Sequence, residues 1–280
     1  MYVFLNSIVG NYQILTVFDT NYVQTNKIFK ELQFMKNFML VLLALGLVMT
    51  FGVVVQAKVT ALPHVFNLSF NNQGNPGKDS SENGNNGELK GGAKWVANGY
   101  SGGAVQLDGG DGHVEVVVDV PEKNFTMGVW VKTDDGEVGI YSVLDGVAGA
   151  GGHDRHFFLK GGKINFRTWK GPAWATDRNV ADGKWHHIAL VAKDGAGQTA
   201  YVDGDKVGTH AYDHSDFDWQ KRVWIGFSND AAKDYFKGLI DGASYTAAAL
   251  TGDQVKMKLM VSVEPKGKLA STWSVIKTNH

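Results

Sequence analysis

From residue 64 onward, apolar and polar positions alternate in short runs broken by Gly, Asp, Asn or Pro. Val65 to Phe70 reads as a first strand. Further strands are expected at Ala104–Leu107, Val114–Val118, Thr126–Val131, Val138–Val143, His156–Leu159, Lys163–Trp169, Trp174–Val180, Trp185–Ala192, Gln198–Val202, Lys206–Thr209, Arg222–Phe227 and Leu239–Thr246. The clearest stretch is Trp185–Ala192. It is followed by Asp194-Gly195-Ala196-Gly197, then Tyr201-Val202 and Asp203-Gly204. Gly tolerates positive φ and Asp-Gly is a favoured hairpin dipeptide, so this region predicts a three-strand meander. Only Thr251–Met260 has helical spacing. Short strands at regular intervals, without helices between them, predict an antiparallel β-sandwich or barrel and not a parallel sheet.

The exception to this pattern lies near the start. Phe38 through Val55 is a long apolar run, preceded by Lys36 and followed by Val55-Gln56-Ala57. Basic, apolar and small-residue regions in that order predict a secretory signal peptide over 35–57. The alternative is an uncleaved membrane anchor, since the run approaches bilayer-spanning length. Met35 stands where such a signal would begin. Residues 1–34 show no packing pattern and are read as an upstream extension or a disordered stretch. The folded domain is expected over 58–256, in a secreted, extracellular or cell-surface setting. The tail, 257–280, carries Leu269, Trp273, Val275 and Ile276 and is read as a loosely held terminus or a docking tag.

Composition narrows the partners. The net charge is −1 with no cluster of Lys or Arg, so no nucleic-acid partner is expected. Membrane contact is expected only through an uncleaved signal segment. With 44% hydrophobic residues in 280 there is enough apolar surface for a sizeable core. There is no Cys, so stability must come from that core or a metal and not from disulfides.

Several stretches resemble one family. Gly183-Lys184-Trp185-His186-His187-Ile188-Ala189-Leu190-Val191 followed by Ala200-Tyr201-Val202-Asp203-Gly204 is similar to the paired-strand signature of laminin-G-like jelly rolls, in the concanavalin-A-like lectin and glucanase superfamily. Gly103-Ala104-Val105-Gln106-Leu107-Asp108-Gly109, Phe125–Lys132 and Phe236–Tyr245 followed by Ala249-Leu250-Thr251 fit the same pattern. So does the loop Asp79-Ser80-Ser81-Glu82-Asn83-Gly84-Asn85, although Glu82 stands where Gly is usual. The resemblance runs from about Val65 to Val255 and implies an all-β, antiparallel jelly-roll sandwich.

The superfamily includes glycoside hydrolases, which need two carboxylates about 5–5.5 Å apart for retaining chemistry. The Glu-x-Asp-x-x-Glu type motif is missing. Glu82, Glu88, Glu115, Glu122, Glu137 and Glu264 are isolated from each other along the chain, so no catalytic residues are expected. His186 and His187 are neighbours on a strand and point to opposite faces, so they read as packing and hydrogen-bonding residues. Gly151–His156 reads as a polar loop.

Calcium is the expected cofactor. Asp79, Asn83 and Asn85 offer oxygens at near-alternate positions in a Gly-rich loop, the donor type this ion takes. Asx turns alone are the alternative. The resemblance adds Asp241 as a structural ligand, with Gly109 and nearby carbonyls. For a sugar, Trp169 and Trp174 flank a turn and offer stacking faces, while Arg167 could bind hydroxyls. Asp216 and Asp218, beside Trp219, could form a calcium-assisted site. The expected function is a non-catalytic, extracellular, glycan-binding module with structural Ca²⁺. Alternatives are a protein-adhesion module without a sugar ligand and, third, a diverged glycoside hydrolase.

Overall fold

A computed structural model describes residues 2–9, 12–19, 29–38, 61–145, 153–168, 171–211 and 220–263. The chain divides into two compact units, Met1–Ala61 and Leu62–His280. In the first, β1 (Tyr2–Val9) pairs antiparallel with β2 (Tyr12–Asp19), Val9 facing Tyr12. Helix α1 spans 29–38 with every residue exposed. Sequence reading found no packing pattern over 1–34 and did not place these elements. Tyr2–Val9 is an almost unbroken apolar and β-branched run, and without alternation such a run does not declare itself a strand. The segment beyond residue 38 that is expected to be a signal peptide lies outside the described residues. Among those described, no helix is long and apolar enough to cross a membrane.

The second unit is a sandwich of two antiparallel sheets. Its strands are β3 (His64–Leu68), β4 (Gly87–Lys90), β5 (Lys94–Val96), β6 (Ala104–Asp108), β7 (His113–Val117), β8 (Phe125–Lys132), β9 (Gly139–Leu144), β10 (His153–Lys160), β11 (Lys163–Arg167), β12 (Trp174–Asn179), β13 (Trp185–Lys193), β14 (Gly197–Val202), β15 (Asp205–His210), β16 (Arg222–Ile225) and β17 (Lys237–Thr246), followed by helix α2 (Gly252–Val263). The seven-stranded sheet runs β12-β11-β10-β9-β16-β7-β4. The eight-stranded sheet runs β15-β14-β13-β8-β17-β6-β5, with β3 also on β17. This is the jelly-roll sandwich that the strand pattern and the resemblance imply. β4 and β5 escape sequence reading because they are only four and three residues long and carry Lys and Glu.

Alternation builds the core. On β8 the residues Phe125, Met127, Val129 and Val131 point inward, level with Ala192, Leu190 and Ile188 of β13. Across the gap lie Val114, Ile225, Tyr141, Phe157 and Phe166, in register from β7 to β11. The outer face of the eight-stranded sheet is also partly dry: Ala189 and Val191 pack against Leu250 and Val255. Helix α2 runs on to Val263, so the boundary expected at 256 falls inside it.

Candidate functional site

The outer face of the seven-stranded sheet carries a polar row beside a small apolar cluster of Leu144, Trp224, Phe227 and Tyr235, and Glu115, Ser142, His156 and Trp224 of the row are buried. Cross-strand register sets Glu88, Glu115, Trp224, Ser142, His156 and Arg167 side by side on β4, β7, β16, β9, β10 and β11. Their inward neighbours are core residues, so alternation directs this row outward. A hydrogen-bond chain links one half of it. Arg167 Nη1 donates to Asp230 Oδ1 and Oδ2 at 2.7 and 3.0 Å, and the Asp230 N–H donates to Ser228 Oγ at 3.2 Å. His156 Nδ1 lies 3.1 Å from Ser228 Oγ and 2.8 Å from Ser142 Oγ. In the other half, Glu115 Oε2 accepts from Arg222 Nη1 at 2.7 Å and from Trp224 Nε1 at 2.9 Å. The His113 ring stacks on Trp224 at 3.8 Å, with Phe227 and Tyr235 beside them.

Glu88 faces Glu115 across the β4–β7 pair. The two residues are therefore far apart in sequence but adjacent in the sheet. Lys90 Nζ lies 2.7 Å from Glu88 and 4.0 Å from Glu115. Burial pushes the Glu115 carboxyl up. The hydrogen bonds from Arg222 and Trp224 and the nearby cations outweigh burial, so it rests below its ordinary value. His113 is held below the usual imidazole value, chiefly by burial.

The expected sugar contacts divide. Arg167 belongs to the polar row. Trp174 does not project as a platform: it is half-buried at the side of the sandwich. Its Nε1 donates to Gln198 Oε1 at 2.9 Å, and its ring lies 5.1 Å from Phe166 and 5.7 Å from His210. It joins β12, an edge of one sheet, to β15, an edge of the other. Trp169, Asp216, Asp218 and Trp219 lie outside the described residues. The stretch read as a polar loop at 151–156 contributes to β10. Arg155 sits there at a bulge with φ 52°, and both Arg155 and His156 are buried. His186 Nδ1 and Nε2 lie 2.8 and 3.0 Å from Asp203 and Asp182.

The five expected calcium residues do not converge. Asp79 accepts from the N–H groups of Asn67, Ser81 and Asn85 at 2.9, 2.8 and 2.9 Å, and from Ser81 Oγ at 2.7 Å. Asn85 Nδ2 donates to the Val65 carbonyl at 2.7 Å, and Asn83 Nδ2 donates to the His64 carbonyl. A carboxylate ringed by four donors closes the loop by itself. Gly109, at φ 84°, follows the Asp108–Lys237 pair. That places it four residues along β17 from Asp241, on the order of 13 Å away.

Asp241 is different. It faces Trp130 across β17–β8 and is 3% exposed. Its partners are N–H groups alone, from Ser101 at 3.0 Å, from Gly242 at 2.7 Å and from Tyr100. Burial outweighs those donors and raises its pKa to about 7. A Cβ on Gly99 would meet the Gly103 carbonyl oxygen at 2.2 Å and Asp241 Oδ2 at 2.8 Å, so both oxygens pack against Gly99. A buried carboxylate without a cationic partner, beside a backbone carbonyl, fits a hard cation. Among the described residues, no three His, Asp or Glu side chains gather for a metal, so such a cation would rest largely on backbone oxygens.

The Laminin_G_3 family, described as the concanavalin A-like lectin/glucanases superfamily, matches residues 108–256. That is more than half of the chain, and the chain belongs to this family. No curated protein matches it by sequence. Among solved structures, the binding domain of Paraclostridial Mosquitocidal Protein 1 is 20% identical with a TM-score of 0.53, over 70% of this chain and 51% of that one. Domain 4 of AbnA, a GH43 extracellular arabinanase from Geobacillus stearothermophilus solved with arabinotriose, is 18% identical with a TM-score of 0.54, over 70% and 98%. The ligand-binding domain of botulinum neurotoxin serotype D, solved with N-acetylneuraminic acid, is 14% identical with a TM-score of 0.54, over 70% and 50%. These are likenesses of fold, and the chain spans about half the length of the two toxin domains.

Proposed function

We propose that the sandwich is a non-catalytic glycan-binding module that works outside the cell, with the outer face of the seven-stranded sheet as its binding face. The observation that carries this is the polar row in register, in which the buried Glu115, Trp224, Ser142 and His156 back the part-exposed Arg167 and Arg222. Sugar hydroxyls need donors and acceptors held at fixed spacing, with an aromatic ring beside them. Strands hold such groups more rigidly than loops do. Arg167 and Arg222 keep 29% and 37% of their side-chain surface exposed, enough to reach a ligand. The arabinotriose and N-acetylneuraminic acid held by two structures of this fold support the ligand class.

The carboxylate couple supports binding over cleavage. A hydrolytic acid needs a raised pKa. Glu115 is held low, and a lysine stands near both members. For the cofactor we favour a structural Ca²⁺ at Asp241 with the Gly103 carbonyl, in place of the Asp79 loop.

The test is a glycan array with and without EDTA, run with wild type, Arg222→Ala and Arg167→Ala. Wild type is expected to bind a defined glycan subset, and each variant to lose roughly tenfold in affinity, the size of a lost charged hydrogen bond. Binding to no glycan in either condition would favour protein adhesion. Release of reducing ends from a bound polysaccharide would favour the hydrolase.

A further inference from the structure

Exposed large hydrophobic side chains are distributed unevenly. Among the described residues they are Phe29, Leu32, Phe34, Met35, Phe38, Val117 and Met257. Five of these seven lie on α1, at 70, 58, 73, 64 and 58% exposure. The helix is two-sided. Lys30, Gln33 and Asn37 recur at intervals of three and four residues and form one polar stripe, while the apolar residues spread over the rest of the circumference, broken by Glu31 and Lys36. Phe34 and Phe38, four apart, stack at 6.4 Å and widen the apolar side.

The chemistry of the surroundings selects the occupant of this side. Met39 through Val55 follows directly and contains no charged residue. Helix α1 therefore leads into a segment whose composition suits hydrocarbon. Lys27, Lys30 and Lys36 against Glu31 leave the approach cationic, which complements anionic lipid. Glu31 and Lys36 interrupt the apolar side. Buried in a protein groove they would be costly, whereas at a headgroup boundary they keep water and lysine can extend toward it.

We infer that α1 is an interfacial helix, lying along a lipid surface with Phe29, Leu32, Phe34, Met35 and Phe38 toward the acyl chains and Lys30, Gln33 and Asn37 toward water.

The chain has no Cys, so one introduced thiol reports one position. Full-length Phe34→Cys and Gln33→Cys proteins, each labelled with an environment-sensitive fluorophore, would be mixed with vesicles of equal parts phosphatidylcholine and phosphatidylglycerol. The expected result is a blue shift and a severalfold rise in emission at position 34, quenched by a lipid-borne quencher, with little change at 33. Equal responses at 33 and 34, or none at either, would overturn the inference, because the apolar run alone would then account for binding. A shift at 34 that appears without vesicles and grows with protein concentration would also overturn it, in favour of a second copy of the chain.

Discussion

At the scale of single residues, Asp241 and Asp79 are both buried but differ in what surrounds them. Asp241 has a folded pKa near 7 against an unfolded value near 3.8. Between those values the folded state holds a proton that the unfolded state has lost, so this contribution to stability is present below about pH 4 and falls away as pH rises through 7. In EDTA the melting temperature is expected to be higher at pH 5 than at pH 8, by an amount reflecting up to a few kcal/mol. Ca²⁺ should raise it at pH 8 far more than at pH 5, and Asp241→Asn should flatten both responses. An unchanged melt on adding Ca²⁺ at pH 8 would remove the cation from Asp241. Asp79→Ala, by contrast, strands four donors and is expected to cost about 3 kcal/mol equally in Ca²⁺ and in EDTA, read by denaturant unfolding. Asp241 was legible only through resemblance, because nothing local to Ile240-Asp241-Gly242 reveals burial. The Glu88–Glu115 pair was not legible at all, since strand register and not spacing brings the two together.

Elements carry the next lesson. The long strands declared themselves by alternation, and β8, β13 and β17 lie within a residue or two of where the pattern put them. Trp174 sits on a correctly expected strand, yet its use depends on β15 approaching from the other sheet. It closes the side of the sandwich, and a Cβ on Gly208 would come within 2.9 Å of its ring. Trp174→Ala is expected to destabilise by about 2–4 kcal/mol in urea unfolding while leaving glycan affinity within a few-fold. A loss of affinity with unchanged stability would restore it as a sugar platform. On the opposite face, Leu250→Ala should cost about 2–4 kcal/mol by opening the contact with Ala189 and Val191.

At the scale of the whole sandwich, fold class was readable because one face of almost every strand is apolar and the breaks are Gly, Asn or Asp. The face proposed for binding was not, because polar residues on a sheet exterior look the same in sequence whether they meet water or a ligand. One feature of the topology bears on how this chain comes into being. β17 takes β6 along Lys237–Ile240, β3 along Ala243–Thr246 and β8 on its other side, so residue 68 waits for residue 243. A nascent chain halted at residue 230 would hold β3, β6 and β8 with bare edges and no shared neighbour. It should remain protease-sensitive and prone to aggregate. The last tenth of the domain to be synthesised thus acts as its locking pin, and the polypeptide stays pliable until that pin is in place.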